Sequence, residues 1–141
     1  MTILSIHVAA TLFMTGLIWF VQIVHYPLLA RVGREGFVEY EAAHARLTTL
    51  VVGPIMLLEA ATGVLVVLAP PAELPSWSVW SGAGLILVIW TSTAFLQVPQ
   101  HRMLTAGFDC AAHRRLVSSN WLRTAAWTAR ACLVSWMATI A

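Results

Sequence analysis

Four long apolar runs follow one another along this chain, separated by short segments that contain its prolines, glycines and most of its charges. The runs cover residues 2–24, 47–69, 77–98 and 116–141. Each run is long enough, as an α-helix, to cross a hydrocarbon core of about 30 Å. They lack the alternation of barrel strands, and an open strand in lipid would leave its backbone amides unpaired. The pattern therefore predicts four transmembrane helices.

The composition excludes a water-soluble globule. Of the 141 residues, 60% are hydrophobic and 10% charged, whereas soluble domains carry about 25% charged residues. A chain this apolar also lacks the low hydrophobicity and high net charge that are typical of disordered proteins. Four helices of about 20 residues leave room only for short connections, so we expect one integral membrane domain over residues 1–141.

The arginines predict the orientation. All eight cations are arginine. Arginines flank the first and third connections, whereas the second connection carries only Glu73. The positive-inside rule then places the first and third connections in the cytoplasm and both termini outside, in the cytoplasmic (inner) membrane. We expect the lipid bilayer, membrane partner subunits or a second copy of the chain as partners. Because topology accounts for these arginines, we expect no nucleic acid among the partners.

An internal repeat links the two halves of the chain. FVQIVHYPLL at residues 20–29 resembles FLQVPQHRML at residues 95–104, and GFVEYEAAHARL at 36–47 resembles GFDCAAHRRL at 107–116. The predicted fold is thus an all-α four-helix transmembrane bundle of two tandem hairpins, residues 1–69 and 77–141, related by a pseudo-two-fold axis along the membrane normal. Chance similarity between alanine-rich and arginine-rich segments is the alternative.

Four of the five histidines fall in the repeated segments, one per helix near the cytoplasmic boundary: His25, His44, His101 and His113. Neutral imidazole is a good ligand for zinc, copper or iron, and facing helices can supply the geometry. We therefore predict that these four bind haem or one or two ions of iron, copper or zinc. The alternative is that they hydrogen-bond lipid phosphates, carbonyls and helix ends.

Two glutamines accompany these histidines. Gln22 lies one turn from His25, and Gln97 lies one turn from His101, so each pair shares a helix face. Because the partners of ligating histidines orient their rings, we predict that both glutamines belong to the cofactor site.

Glu59 is the only acid well inside an apolar run. At 1.5 Å per residue it lies about 18 Å from the cytoplasmic end, close to Arg130 at about 21 Å and farther from Arg123 at about 10 Å. Depth therefore selects Arg130 as its ion partner, and an unpaired Glu59 would instead be protonated. The pair is predicted either to act catalytically, as a proton relay or substrate anchor, or to fix the helix register. His7, nearer the outer face, is predicted to be an interfacial hydrogen-bonding residue.

The first helix, with His7, Gly16, Trp19, Phe20 and His25 followed by a Tyr-Pro pair, resembles the opening helix of the haem-binding membrane protoporphyrinogen oxidase family. The hydropathy profile also resembles the small four-span membrane proteins grouped with anthrone oxygenase. The resemblance implies a haem or oxidoreductase role centred on histidines such as His25.

The leading hypothesis is a membrane oxidoreductase or electron-transfer protein that uses haem or metal ions. The main alternative is a non-enzymatic accessory subunit of a larger membrane complex, or a small carrier. Serine-nucleophile motifs and glycine-rich phosphate loops are absent from the sequence, which argues against hydrolase and nucleotide chemistry.

Overall fold

The computed structural model describes residues 2–141, and 85% of the chain is helical with no strand among the described residues. Its four helices are α1 (Ile3–Leu29), α2 (Phe37–Leu68), α3 (Ser76–Leu104) and α4 (Cys110–Ile140). The all-α prediction and the number of helices are confirmed. Three helices, α1, α2 and α3, are long and apolar enough to cross a membrane.

Local signals explain where the helices begin. The Thr2 hydroxyl accepts a hydrogen bond from the Ser5 amide at 3.1 Å, and Asp109 accepts from the Ala112 amide at 2.6 Å, so both residues cap a helix N-terminus. α2 and α4 begin earlier than the apolar runs, at Phe37 and Cys110. An apolar run marks the length that lipid covers, whereas a helix continues wherever its backbone is hydrogen-bonded and its inner face is packed.

Two helices contain a widened turn just before a proline. Val21–His25 in α1 and Thr93–Gln97 in α3 are π-helical, and Pro27 and Pro99 follow them. A proline lacks the amide donor and its ring presses on the carbonyl four residues earlier, and a π turn relieves both conflicts. The widened turn lets α1 continue past Pro27 to Leu29.

The helices form a bundle in which each helix packs against two others. α1 lies against α2 and α4, and α3 lies against α2 and α4. The core contains large side chains such as Trp127, Met14 and Leu116. Much of the outer surface is apolar, with Leu68 and Phe95 exposed over 74% and 76% of their area. An apolar surface of this extent is typical of a protein that faces lipid.

Candidate metal centre

Three of the predicted histidines meet at the end of the bundle that carries the α1–α2 and α3–α4 connections. His25 Nε2 lies 2.9 Å from His44 Nδ1, and the two rings stack with centroids 4.3 Å apart. The His101 ring centroid is 5.5 Å from that of His44. The first three helices therefore each contribute one imidazole to a single cluster.

A buried carboxylate completes this cluster. Glu41 lies on α2 with 0% of its area exposed, and its Oε1 is 2.6 Å from His101 Nδ1. One ligand atom from each of Glu41, His44 and His101 lies within 4.8 Å of the other two. The second carboxylate oxygen, Glu41 Oε2, is buried and has no hydrogen-bond partner among the described residues.

Outer hydrogen bonds orient the two imidazoles of this group. The Tyr26 hydroxyl lies 3.1 Å from His101 Nε2, and the Thr48 hydroxyl lies 3.0 Å from His44 Nδ1. His25 contacts the same Nδ1, so the Nε2 of His44 is the nitrogen that remains for a ligand. Metal-binding histidines usually hydrogen-bond through their other ring nitrogen, which fixes the tautomer and the ring orientation.

Two imidazoles and one carboxylate are a donor set with a specific chemistry. Such sites bind zinc, or they bind iron(II) in oxygenases with coordination positions left open. One ligand atom from each side chain lies within 4.8 Å of the other two, and the Glu41–His101 contact of 2.6 Å would lengthen if an ion bound between the two atoms. Glu41, His44 and His101 therefore have the donor set of a site for a single metal ion.

Three residues of the predicted site have hydrogen-bond partners outside the cluster. His113 lies apart from the cluster, and its Nε2 donates to the main-chain carbonyl of Tyr26 at 2.8 Å. Gln22 accepts from Asn120 at 2.9 Å, and Gln97 accepts from Ser92 at 3.0 Å. Neither glutamine is hydrogen-bonded to an imidazole, because both side chains are used in contacts with α4 or within their own helix.

Sequence reasoning missed Glu41, although a signal was present. Glu41 and His44 stand three residues apart on one helix, and this Glu-x-x-His spacing supplies metal ligands in four-helix carboxylate proteins. Glu41 also lies outside the apolar run, where an acid is expected to face solvent.

The predicted partner of Glu59 is present in a second, fully buried polar group. Arg130 Nε donates to Glu59 Oε1 at 2.9 Å, as the depth estimate predicts. Thr11 donates to the same oxygen at 2.8 Å, and Trp127 Nε1 donates to Oε2 at 2.9 Å. Arg130 Nη1 donates to the Gly82 carbonyl. Every oxygen of the carboxylate and every nitrogen of the guanidinium thus has a partner.

His7 belongs to this buried group and not to the membrane interface. It is buried, its Nε2 lies 2.9 Å from Arg130 Nη2, and its Nδ1 lies 2.8 Å from the Thr62 hydroxyl. Since arginine can only donate, Nε2 must accept and Nδ1 must carry the proton. The fully satisfied network suits a structural role. The proton-relay role of Glu59 and Arg130 stays a prediction.

Comparisons with protein-family models, with curated proteins and with solved structures find no match for this chain.

Proposed function

We propose that this protein is an integral membrane metalloprotein in which Glu41, His44 and His101 bind one divalent transition-metal ion. We further propose that the ion serves an oxidoreductase reaction inside the bilayer. His25, Tyr26 and Thr48 would orient the ligands through the hydrogen bonds described above.

The single observation that carries this proposal is the unpaired oxygen of Glu41. A buried carboxylate oxygen without a hydrogen-bond donor is costly, and Glu41 Oε2 is in that position beside two imidazoles. A cation bound between these groups would supply the missing partner and balance the carboxylate charge. Iron, copper and zinc all accept this mixed nitrogen and oxygen donor set.

The membrane arrangement is part of the proposal. α4 is 31 residues long, about 46 Å at 1.5 Å per residue, and it packs between α1 and α3. Four arginines lower its hydropathy, and two of them, Arg123 and Arg130, are buried inside the bundle. We therefore propose that α4 is a fourth span, with both termini outside and the metal centre near the cytoplasmic face of the inner membrane.

Metal analysis tests this proposal directly. Protein purified in mild detergent without chelators should hold a single ion of iron, copper or zinc per chain. His44→Ala and Glu41→Gln should each weaken metal binding by more than about tenfold, because even the outer partners of ligands cost about ten- to a hundredfold. The measurement is elemental analysis after dialysis against a fixed concentration of the free metal.

The matched controls are Glu39→Gln, an exposed acid on the same helix, and His113→Ala, the histidine outside the cluster. Both should leave the metal content unchanged. Wild-type protein without stoichiometric metal would overturn the proposal and favour an accessory subunit or carrier. Protein that holds zinc alone, with no redox-active ion, would support the metal centre and contradict the oxidoreductase function.

A further inference from the structure

A cavity of about 490 Å³ adjoins the proposed metal centre, and His44 and His101 form part of its wall. Its volume lies in the range of small-molecule sites, about 300–1,000 Å³. Most of the remaining wall is apolar and comes from α1, α2 and α3, including Leu17, Val52 and Met56. The cavity therefore suits a molecule whose body is mainly hydrocarbon.

Two apolar residues of the cavity wall, Leu57 of α2 and Trp90 of α3, are also exposed on the outside of the bundle. In a bilayer these side chains face lipid tails, so a ligand could enter sideways between α2 and α3 without crossing water.

Two arginines line the cavity, and of these Arg102 is exposed whereas Arg123 is buried without a counter-ion among the described residues. Arg123 lines the cavity and is 6% exposed, and its Nε has no hydrogen-bond partner among the described residues. Its Nη1 donates to Asn120 Oδ1 at 3.2 Å, and its guanidinium carbon lies 5.1 Å from the Trp127 ring centroid. No carboxylate of the described chain forms an ion pair with it.

An unpaired buried cation in an apolar cavity indicates an anionic ligand. A buried charge is costly unless it is paired, and a guanidinium binds a carboxylate through parallel charge-assisted hydrogen bonds. The contrast with Arg130, whose partner Glu59 is supplied by the chain, shows that the fold provides a counter-ion at one arginine and none at the other.

We infer that this cavity binds a free apolar carboxylate from the bilayer, with its acid group on Arg123 and its hydrocarbon body between α2 and α3. The inference rests on the proposed function in one respect, since the bound acid would be the molecule presented to the metal ion. Binding itself depends on Arg123 and the apolar walls, and it does not require the metal.

The test measures binding of a long-chain fatty acid to the purified protein in a neutral detergent, with the fatty alcohol of the same chain length as the uncharged probe. Wild-type protein should bind the acid more tightly than the alcohol. Arg123→Gln should weaken acid binding by about ten- to a hundredfold, the range expected for charged hydrogen bonds, and leave alcohol binding unchanged.

Arg115→Gln is the matched control, because Arg115 is exposed on the same helix and does not line the cavity. Val52→Trp fills the cavity and leaves the charge of Arg123 in place. It should abolish binding of both probes, and it keeps the test valid if Arg123→Gln fails to fold. Equal affinity for acid and alcohol would overturn the inference. So would displacement of the acid by anionic phospholipid at equal concentration, because the site would then bind a lipid headgroup.

The two proposals can fail separately. Glu41→Gln removes a proposed metal ligand that does not line the cavity, and it should leave fatty-acid binding within about twofold of wild type, since the charge on Arg123 is untouched. If the protein binds metal but does not bind the fatty acid more tightly than the alcohol, only the cavity inference is contradicted. If it binds the acid more tightly but holds no metal, only the proposed metal centre is contradicted.

Discussion

At the scale of single residues, the two buried polar groups differ in how completely their atoms are paired. The Glu59–Arg130 group has a partner for each charged atom, whereas Glu41 and Arg123 each keep an unpaired atom. Satisfied buried networks rigidify a fold, and unsatisfied ones require an explanation. We therefore expect a structural role for the first group and propose ligand binding for the second pair of residues.

A double-mutant cycle on Glu59 and Arg130 tests the structural role. Glu59→Gln and Arg130→Met should each lower the free energy of unfolding by about 3–5 kcal/mol, because each leaves a buried charge without its partner. The double variant should lose less than the sum, with a coupling of about 0.5–3 kcal/mol. Denaturant titration of the detergent-solubilised protein measures these values.

Glu39→Gln is the control for this cycle, because Glu39 is exposed on the same helix as Glu59. It should change the unfolding free energy by less than about 0.5 kcal/mol. Strict additivity of the two buried changes would contradict a direct ion pair. Loss of the proposed oxidoreductase activity in Glu59→Gln, with the free energy of unfolding unchanged, would instead favour the proton-relay role.

The histidines illustrate what residue types alone reveal at this scale. Histidine composition and position near the helix ends identified His25, His44 and His101, which do meet. Composition and position could not exclude His113, because the rotation of α4 about its axis decides that the His113 ring faces the Tyr26 carbonyl. They also could not identify Glu41, since its burial depends on how α2 and α3 pack.

At the scale of the helix, the π-helical turns decide which side chains face each other. In a regular α-helix Gln22 and His25 would be neighbours on one face. Both lie inside the π-helical segment of α1, where the wider turn changes this relation. Gln22 consequently bonds α4 through Asn120, while His25 bonds His44 of α2. Apolar patterning predicts the helix but not this local change of register.

The repeated segments are less alike in structure than in sequence. The sequence match pairs Phe20 with Phe95, yet the π-helical segment begins one residue after Phe20 and two residues before Phe95. The position of each π turn follows its proline, Pro27 or Pro99, because the proline creates the conflict that the wide turn relieves.

Close packing of α2 against α1 and α3 at Gly63 gives a prediction at the element scale. A Cβ on Gly63 would lie 2.5 Å from Ile86 Cδ1 and 3.2 Å from His7 Cε1. We expect Gly63→Ala to lower the free energy of unfolding by about 1–3 kcal/mol, the usual range for overpacking. His7 cannot move aside freely, because Arg130 and Thr62 hold both ring nitrogens.

Gly84→Ala is the matched control, because nothing lies within 4 Å of a Cβ at that position in α3. Alanine in an open helix position should raise the stability by about 0.5–1 kcal/mol. Thermal melting of the two variants side by side checks the prediction. Stabilisation by Gly63→Ala would show that α1 and α3 do not approach α2 this closely at Gly63.

At the scale of the whole molecule, the proposed four-span arrangement predicts which segments face each side of the membrane. In a Cys132→Ala background, an impermeant maleimide should label Cys110 only from the cytoplasmic side. A cysteine introduced as Glu73→Cys should be labelled only from the outside. Both positions are exposed on the bundle, and the distribution of arginines sets the expected sides.

A tag after Ala141 separates four spans from three. If α4 crosses the membrane, the tag lies on the same side as Glu73→Cys, and protease added outside intact cells removes it. A tag that is protected from the protease, and therefore lies on the cytoplasmic side together with Cys110, would contradict a fourth span. Labelling of Cys110 from the outside would contradict the orientation.

The sequence by itself determined the helical class, the number of helices and the depth match between Glu59 and Arg130. These properties depend on the length of apolar runs and on the rise per residue, which are fixed along the chain. Only the tertiary structure decided which histidines meet, that Glu41 joins them and that Arg123 Nε has no hydrogen-bond partner among the described residues. Such contacts depend on the rotation of each helix about its axis, and packing against neighbouring helices sets that rotation.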